Sequence, residues 1–158
     1  MSDLMKRAIA SPDQPGATFV GLEALVDQTI GVKLFTLMEL DHTRNVARRS
    51  YTNMPDVYPV SGEKPLEHNS WSEHVEVGQN MFIANSIEEI AAVFPDHKLI
   101  QSLGCESCVN IPILIAGKVV GTLNCLHEAG HYTAERVANA ETLKLAGALA
   151  FLIANNFK

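Results

Sequence analysis

The sequence has few cysteines, no apolar run that approaches the ~20 residues of a membrane span, and no apolar core of a signal peptide near its start. Three cysteines are too few, and odd in number, for a disulfide framework. These absences exclude a small disulfide-stabilised secreted domain. We therefore expect a cytoplasmic protein that does not interact with a membrane.

An excess of positive charge is also absent, because 18 acidic and 12 basic residues give a formal net charge of −6 at pH 7. Proteins that bind nucleic acid need a cationic surface, so we expect no nucleic-acid partner. Hydrophobic residues make up 47% of the chain, and 158 residues are enough for one domain with a sizeable core. We predict a single domain over residues 17–158, preceded by an N-terminal arm or short helix over residues 1–16.

The spacing of apolar residues and the turn signals predict the order of the secondary structure. This order indicates an α+β fold in which a central antiparallel sheet of about five to six strands has the N- and C-terminal helices on one face and short helices and loops on the other. The predicted elements are a helix over 18–30, strands over 32–40 and 45–53, an irregular section over 54–69, a short helix over 70–78 with Ser70 as its N-cap, a strand over 80–84, a helix capped by Ser86, a helical turn over 97–103, a hairpin, and a final helix capped by Thr133.

The hairpin is the most informative part of the chain. Two runs rich in β-forming residues, Ser107–Ile115 and Lys118–His127, flank Ala116 and Gly117, which favours a two-residue turn. With that turn, the predicted pairs are Val109 with Asn124, Asn110 with Leu123, and Cys108 with Cys125.

Alternation along the two strands divides the polar side chains between the two faces of the hairpin. One face is predicted to carry Ser107, Thr122 and Asn124, and the other Cys108, Asn110 and Cys125. Arg48 and Arg49 lie on the more polar second strand, where we interpret them as solvated charges at a sheet edge.

The motifs around the hairpin, in this order, resemble those of GAF domains. They are Leu103-Gly104, Ser107, Ile111-Pro112-Ile113, Gly117-Lys118 and Val120-Gly121-Thr122-Leu123-Asn124, supported by the segment 71–78 before a short strand and by Tyr132 before the last helix. The resemblance implies a GAF-like, PAS-related fold with a pocket between the sheet and short helices, and dimerisation through the terminal helices.

The resemblance also implies a function, which is the binding of a small molecule by a sensory or regulatory domain that acts in signal transduction. No output domain is evident in the sequence, so we expect a homodimer that acts on a signalling protein in trans. The sequence identifies neither the ligand nor a cofactor. The residues predicted to contact the ligand are Trp71 and His74 above the pocket, with Ser107, Thr122 and Asn124 on the sheet.

Asn124 fits a bond to a neighbouring loop backbone equally well, and Asn110 is interpreted as a structural contact to the terminal helices. Among other clusters, His127, Glu128 and His131 lack a fourth ligand at a recognisable spacing, so we predict no metal site. If Cys108 and Cys125 face each other, they could form a cross-strand disulfide on oxidation.

Two alternatives remain open from the sequence. The first is a cysteine-dependent oxidoreductase similar to free methionine-(R)-sulfoxide reductase, a standalone GAF domain, which would use Cys105, Cys108 and Cys125. Cys105 followed by Glu106 is similar to the reactive stretch of that family, but it lies close to Pro112 and no cysteine precedes it. The second is an interaction or dimerisation module that binds no ligand.

Overall fold

The structure, a computed structural model, describes residues 3–157 and contains seven α-helices and six strands in that range. The predicted arm includes Met1 and Ser2 and the predicted domain includes Lys158, and these three lie outside the described residues. The elements are α1 (Asp3–Ala10), α2 (Gly16–Thr29), β1 (Leu34–Asp41), β2 (Val46–Thr52), β3 (Lys64–Pro65), α3 (Ser70–Ser72) continued by a π-helical turn (Glu73–Val77), β4 (Phe82–Ala84), α4 (Ile87–Ala91), α5 (His97–Ser102), β5 (Ser107–Ile115), β6 (Lys118–His127), α6 (Ala134–Ala140), a 3₁₀ turn (Glu141–Leu143) and α7 (Lys144–Asn156).

The six strands form one antiparallel sheet in the order β3-β2-β1-β6-β5-β4. This confirms the predicted α+β class and the antiparallel sheet. The interpretation of the second strand as an edge is wrong, because the two-residue strand β3 pairs outside it, with Ala47 opposite Lys64. β3 does not extend to Arg49, where the backbone N–H of Ser61, from the segment before β3, donates to Arg49 O instead.

Each face of the sheet has its own apolar core. The terminal helices cover one face, where Leu22 and Phe151 pack with strand residues such as Leu37 and Leu123. Residues 54–103, apart from the edge strands β3 and β4, cover the other face, and we call this covering segment the roof. Under the roof, Ile90 and Ile100 pack with Cys108 and other buried side chains. Each large apolar side chain removed from water contributes about 1.5–3 kcal/mol, so both faces stabilise the fold.

The segment Ala134–Asn156 is long and apolar enough, by length and composition, to cross a membrane. Its buried side chains lie in the core on the helical face, among them Ala140, Leu143 and Ala150. A helix that supplies one side of a core is apolar for this reason.

The hairpin register differs from the prediction over most of its length. The turn has positive φ at both Ala116 and Gly117, as a two-residue turn of this kind requires, and Ile115 pairs with Lys118 as expected. A β-bulge between Ile113 and Leu114 then displaces every later pair by one residue. The observed pairs are Val109 with Cys125, Asn110 with Asn124, and Cys108 with Leu126.

Helix caps follow the prediction at two of three positions. The side chains of Ser86 and Thr133 accept hydrogen bonds from the N–H groups of Glu89 and Arg136, so both predicted caps are confirmed. The cap of α3 is wrong by one residue. Asn69 Oδ1 accepts from Ser72 N at 2.9 Å, and Ser72 Oγ accepts from Asn69 N at 2.9 Å. These two bonds form a capping box that begins one residue earlier than predicted.

Candidate ligand-binding cavity

A cavity of about 300 Å³ lies between the sheet and the roof. Its floor consists of side chains from the four central strands, and its cover consists of side chains from the irregular segment 54–69, the α3 region and the turn before α5. Residues that line the cavity include Thr36, Met38, Arg49, Tyr58, Lys64, Glu67, Trp71, Glu76, Asp96, Cys108, Asn110 and Asn124.

The most ordered feature of the cavity is a relay of hydrogen bonds across its floor. The indole N–H of Trp71 donates to Asn110 Oδ1 at 2.8 Å, and Asn110 Nδ2 donates to Asn124 Oδ1 at 2.9 Å. Asn124 Nδ2 donates in turn to Thr36 Oγ1 at 3.2 Å. The relay exists because Asn110, Asn124 and Thr36 are cross-strand partners on β5, β6 and β1.

The relay leaves hydrogen-bonding capacity that faces the cavity. A primary amide has two N–H protons and an oxygen with two lone pairs, and the relay uses one proton and one lone pair of Asn124. Asn124 remains partly exposed although it lies in the middle of the sheet, whereas Asn110 is buried. Asn124 is therefore the amide best placed to bond a molecule in the cavity.

A second polar group lies where the roof meets β2. Tyr58 donates its hydroxyl to Asp96 Oδ2 at 2.6 Å, and the guanidinium carbon of Arg49 lies 4.0 Å from the centre of the Tyr58 ring. Burial is the largest cause that raises the pKa of Tyr58, followed by its bond to Asp96. The phenol therefore stays protonated and acts as a donor.

Glu76 brings a carboxyl group to the cavity from the π-helical turn. Loss of water around this partly buried side chain raises its pKa, and the neighbouring His42 and His68 partly oppose that shift. Single-turn π-helical segments are often found at functional sites, because the extra residue redirects side chains.

The cavity contains only some of the residues predicted to contact a ligand. Trp71 and Asn124 line it. His74 instead bonds Met81 O and lines a separate, more open depression with residues such as Ser70 and Phe82. Ser107 donates to His127 O, and Thr122 is fully buried with a hydroxyl that has no partner.

Sequence reasoning also missed residues that line the cavity. Asn110 was assigned to the opposite face, and the one-residue displacement at the bulge is the reason for that error. Arg49 was interpreted as a solvated charge, because the strand β3 and the segment that follows β2 gave no sequence signal for pairing. Tyr58 and Asp96 lie in or beside loops, where no periodic pattern singles them out.

The three cysteines lie in a different arrangement from the one predicted. All are buried, and burial is the largest cause that raises the pKa of each thiol, to about 12 for Cys108. Cys105 and Cys108 belong to the core under the roof, and Cys125 belongs to the core under the terminal helices. The predicted pairing of Cys108 with Cys125 is wrong, because the bulge places Leu126 opposite Cys108.

His127, Glu128 and His131 bring possible ligand atoms within 4.8 Å of one another. The two imidazole rings stack at a centroid distance of 3.5 Å and an interplanar angle of 4°. His127 Nδ1 accepts from Glu128 N, and His131 Nε2 bonds Ile30 O at 2.8 Å. Two of the four ring nitrogens are thus already in use.

The sequence and the fold are similar to those of known proteins. The sequence profile of the GAF domain family matches residues 20–156. Comparison with curated proteins finds no match.

Solved structures share the fold at low sequence identity. The GAF domain of a two-component sensor histidine kinase from Bacillus halodurans is 15% identical, with a TM-score of 0.68 over 89% of this chain and 93% of that one. The GAF domain from Acinetobacter phosphoenolpyruvate-protein phosphotransferase is 13% identical, with a TM-score of 0.69 over 100% and 98% of the two chains. Free methionine-R-sulfoxide reductase from Neisseria meningitidis is 11% identical, with a TM-score of 0.64 over 97% and 86%. With a family profile over most of its length and these structural neighbours, the chain belongs to the GAF domain family.

Proposed function

We propose that this chain is a sensory domain that binds a small molecule in the cavity under the roof and passes the bound state to a partner protein. The observation that carries the proposal is the relay from Trp71 to Thr36. Asn124 is partly exposed on the wall of a cavity of about 300 Å³, where it keeps an unused N–H and an unused lone pair that a bound molecule can bond. Ligand pockets combine such volumes with a few convergent polar groups.

The proposed mechanism is a shift in the population of roof conformations. Residues 54–69 contain one strand of two residues, and outside it the segment is joined to β2 and the preceding turn by single backbone bonds such as Ser61 N to Arg49 O and Leu66 N to Asn45 O. A ligand that bonds both Asn124 and the roof would favour the closed arrangement by its differential affinity. The change would then alter the surface that a partner recognises.

We also propose that the protein is cytoplasmic and forms a homodimer through its terminal helices. Support for the dimer comes from apolar side chains that the helical layer exposes, with Val20 58% and Leu145 71% exposed. Sedimentation equilibrium on the wild type and on a Val20→Glu, Leu145→Glu double variant tests this. A dimer that dissociates in the double variant supports the proposal, and a wild-type monomer contradicts it.

The ligand proposal is tested by thermal unfolding against a broad panel of metabolites. We expect at least one compound to raise the melting temperature, and Asn124→Leu to abolish that rise. Asn139→Leu, an exposed asparagine on α6, serves as the matched control and should retain it. If no compound stabilises the wild type, an interaction module without a ligand becomes the better account.

Cysteine-dependent reduction of free methionine sulfoxide is the second candidate, and one observation favours it: Cys108 lines the cavity. The raised pKa of Cys108 opposes it, since a reactive cysteine needs an accessible thiolate. The test is a reductase assay on the wild type and on Cys105→Ser, Cys108→Ser and Cys125→Ser. Activity that is lost in any of these variants would replace the sensory proposal with the enzymatic one.

A further inference from the structure

Arg49 places a preorganised guanidinium at the cavity. It lies on β2 opposite Met38, which is also a lining residue. Its guanidinium carbon sits 4.0 Å from the centre of the Tyr58 ring, and Nη1 donates to Pro59 O at 2.8 Å. These two contacts fix the orientation of the planar group. Within residues 3–157, its Nη2 and Nε have no hydrogen-bond acceptor.

The other arginines of the two-strand unit β1–β2 have carboxylate partners. Arg44 pairs with Glu63, and Arg48 lies 3.5 Å from a carboxylate oxygen of Glu39. Arg49 forms no ion pair with any carboxylate of the described residues. A guanidinium that is partly buried, oriented and without a counter-ion is suited to bind a planar or tetrahedral anion through two parallel hydrogen bonds.

The remaining charges at the cavity indicate on which side an anionic group would bind. Lys64 and Arg48 also line the cavity. Lys64 lies on β3 opposite Ala47, and Arg48 lies next to Arg49 on β2 with Glu39 as its partner. Asp96 already accepts the hydroxyl of Tyr58, and the other two lining carboxylates, Glu67 and Glu76, come from the roof. The sheet side formed by β2 and β3 is thus the side where an anionic group would meet cations.

We propose that the ligand carries an anionic group, a carboxylate or a phosphate, which binds the free edge of the Arg49 guanidinium while a neutral polar part contacts Asn124. This inference rests on the proposed function, because it concerns the same cavity. It narrows the ligand from any small polar molecule to an organic anion.

The experiment compares anions with neutral twins of nearly the same shape. The pairs are succinate with succinamide, phenylacetate with phenylacetamide, and phenyl phosphate with phenyl sulfamate, and saturation-transfer NMR titration gives the dissociation constants with the purified protein. We expect anionic members to bind about tenfold or more tightly than their twins, since hydrogen bonds to charged groups are the stronger kind. The carboxylate and phosphate pairs separate the two kinds of anion.

Substitutions at Arg49 test whether this residue causes the preference for anions. Arg49→Gln should abolish the preference for the anion, and Arg49→Lys should keep part of it because the charge remains without the planar fork. Arg44→Gln removes the same charge from an exposed arginine outside the cavity and should leave the preference unchanged. Far-ultraviolet circular dichroism confirms that each variant is folded.

Three results would overturn the inference or its basis. If twins bind equally, or if the anion preference persists in Arg49→Gln, Arg49 is not an anion site. If the metabolite panel yields only neutral ligands that depend on Asn124, the anion inference is wrong and the proposed function stands. If neither the panel nor the six compounds bind the wild type, both are wrong.

Discussion

At the scale of single residues, two threonines on the same face of the sheet differ in how their hydroxyls are satisfied. Thr36 accepts the last bond of the relay, whereas the buried hydroxyl of Thr122 has no partner. An unpaired buried polar group costs free energy, and loss of a partner costs about 1–3 kcal/mol. Replacement of each threonine by valine should therefore change the free energy of unfolding in opposite directions.

We predict that Thr122→Val raises the free energy of unfolding by about 1 kcal/mol, because it removes an unbonded hydroxyl with little change of shape. Thr36→Val should lower it by about the same amount, because the amide of Asn124 then loses its acceptor. Urea denaturation of both variants is the measurement. Changes of the same sign at both positions would contradict this assignment of partners.

The buried cysteines give the stability a dependence on pH. Burial raises the pKa of Cys105, Cys108 and Cys125 in the folded chain, so above the ordinary thiol pKa the unfolded chain binds fewer protons than the folded chain. The stabilising contribution is complete below about pH 8.5 and is lost as the pH rises toward the folded values. Each thiol can lower the free energy of unfolding by about 1.4 kcal/mol per pH unit there.

We therefore predict that the free energy of unfolding falls between about pH 8.5 and 10, and that Cys125→Ala makes this fall less steep. Urea denaturation at several pH values under reducing conditions measures it. Native thiols should also react with a thiol reagent far more slowly than unfolded ones. A stability that is flat over this range, or rapid labelling of the native protein, would show that the thiols are accessible.

At the scale of elements, the start of α3 decides where Trp71 points. Asn69 caps the helix with a bond to Ser72 N, although the sequence pattern favoured Ser70. We predict that Asn69→Ala lowers the free energy of unfolding by about 1 kcal/mol and that Ser70→Ala has little effect. Because Trp71 is the only tryptophan, its fluorescence should change with the first variant alone. Equal effects of the two variants would restore Ser70 as the cap.

The packing of α7 on β6 depends on a glycine in the strand. A Cβ at Gly121 would lie 2.5 Å from both Met38 O and the Phe151 ring. Gly121→Ala should therefore destabilise the fold by about 2 kcal/mol or more, since a backbone oxygen cannot move away cheaply. Gly62→Ala, where no atom lies within 4 Å, is the control and should be close to neutral. Thermal unfolding of both variants checks this, and an unaffected Gly121→Ala would mean that the two elements separate easily.

The hairpin shows what the sequence could and could not predict. Its two strands and turn residues were identified correctly, because turn chemistry and β-propensity are local properties. The bulge was not predicted, because both strands are apolar on both faces and alternation gives no sign of one extra residue. That single residue moved Asn110 to the cavity face beside Asn124 and separated Cys108 from Cys125.

At the scale of the whole molecule, the order of the elements was enough to predict the α+β class, the antiparallel sheet and the helical layer. The cavity could not be predicted to the same depth. Its cover comes from residues 54–69, the α3 region and the turn before α5, and its polar groups are joined by long-range contacts such as Trp71 with Asn110 and Tyr58 with Asp96. Such contacts depend on tertiary packing and leave no periodic pattern in the sequence.

The measurement that tests the central claim most directly is native mass spectrometry of the wild type and of Asn124→Leu in the presence of the pooled metabolite panel. The cavity under the roof, with its relay of amides, predicts a bound small molecule on the wild type that is released on unfolding and is absent from the variant. A wild type that carries no such molecule, or a variant that retains it, would contradict the assignment of this cavity as the ligand site.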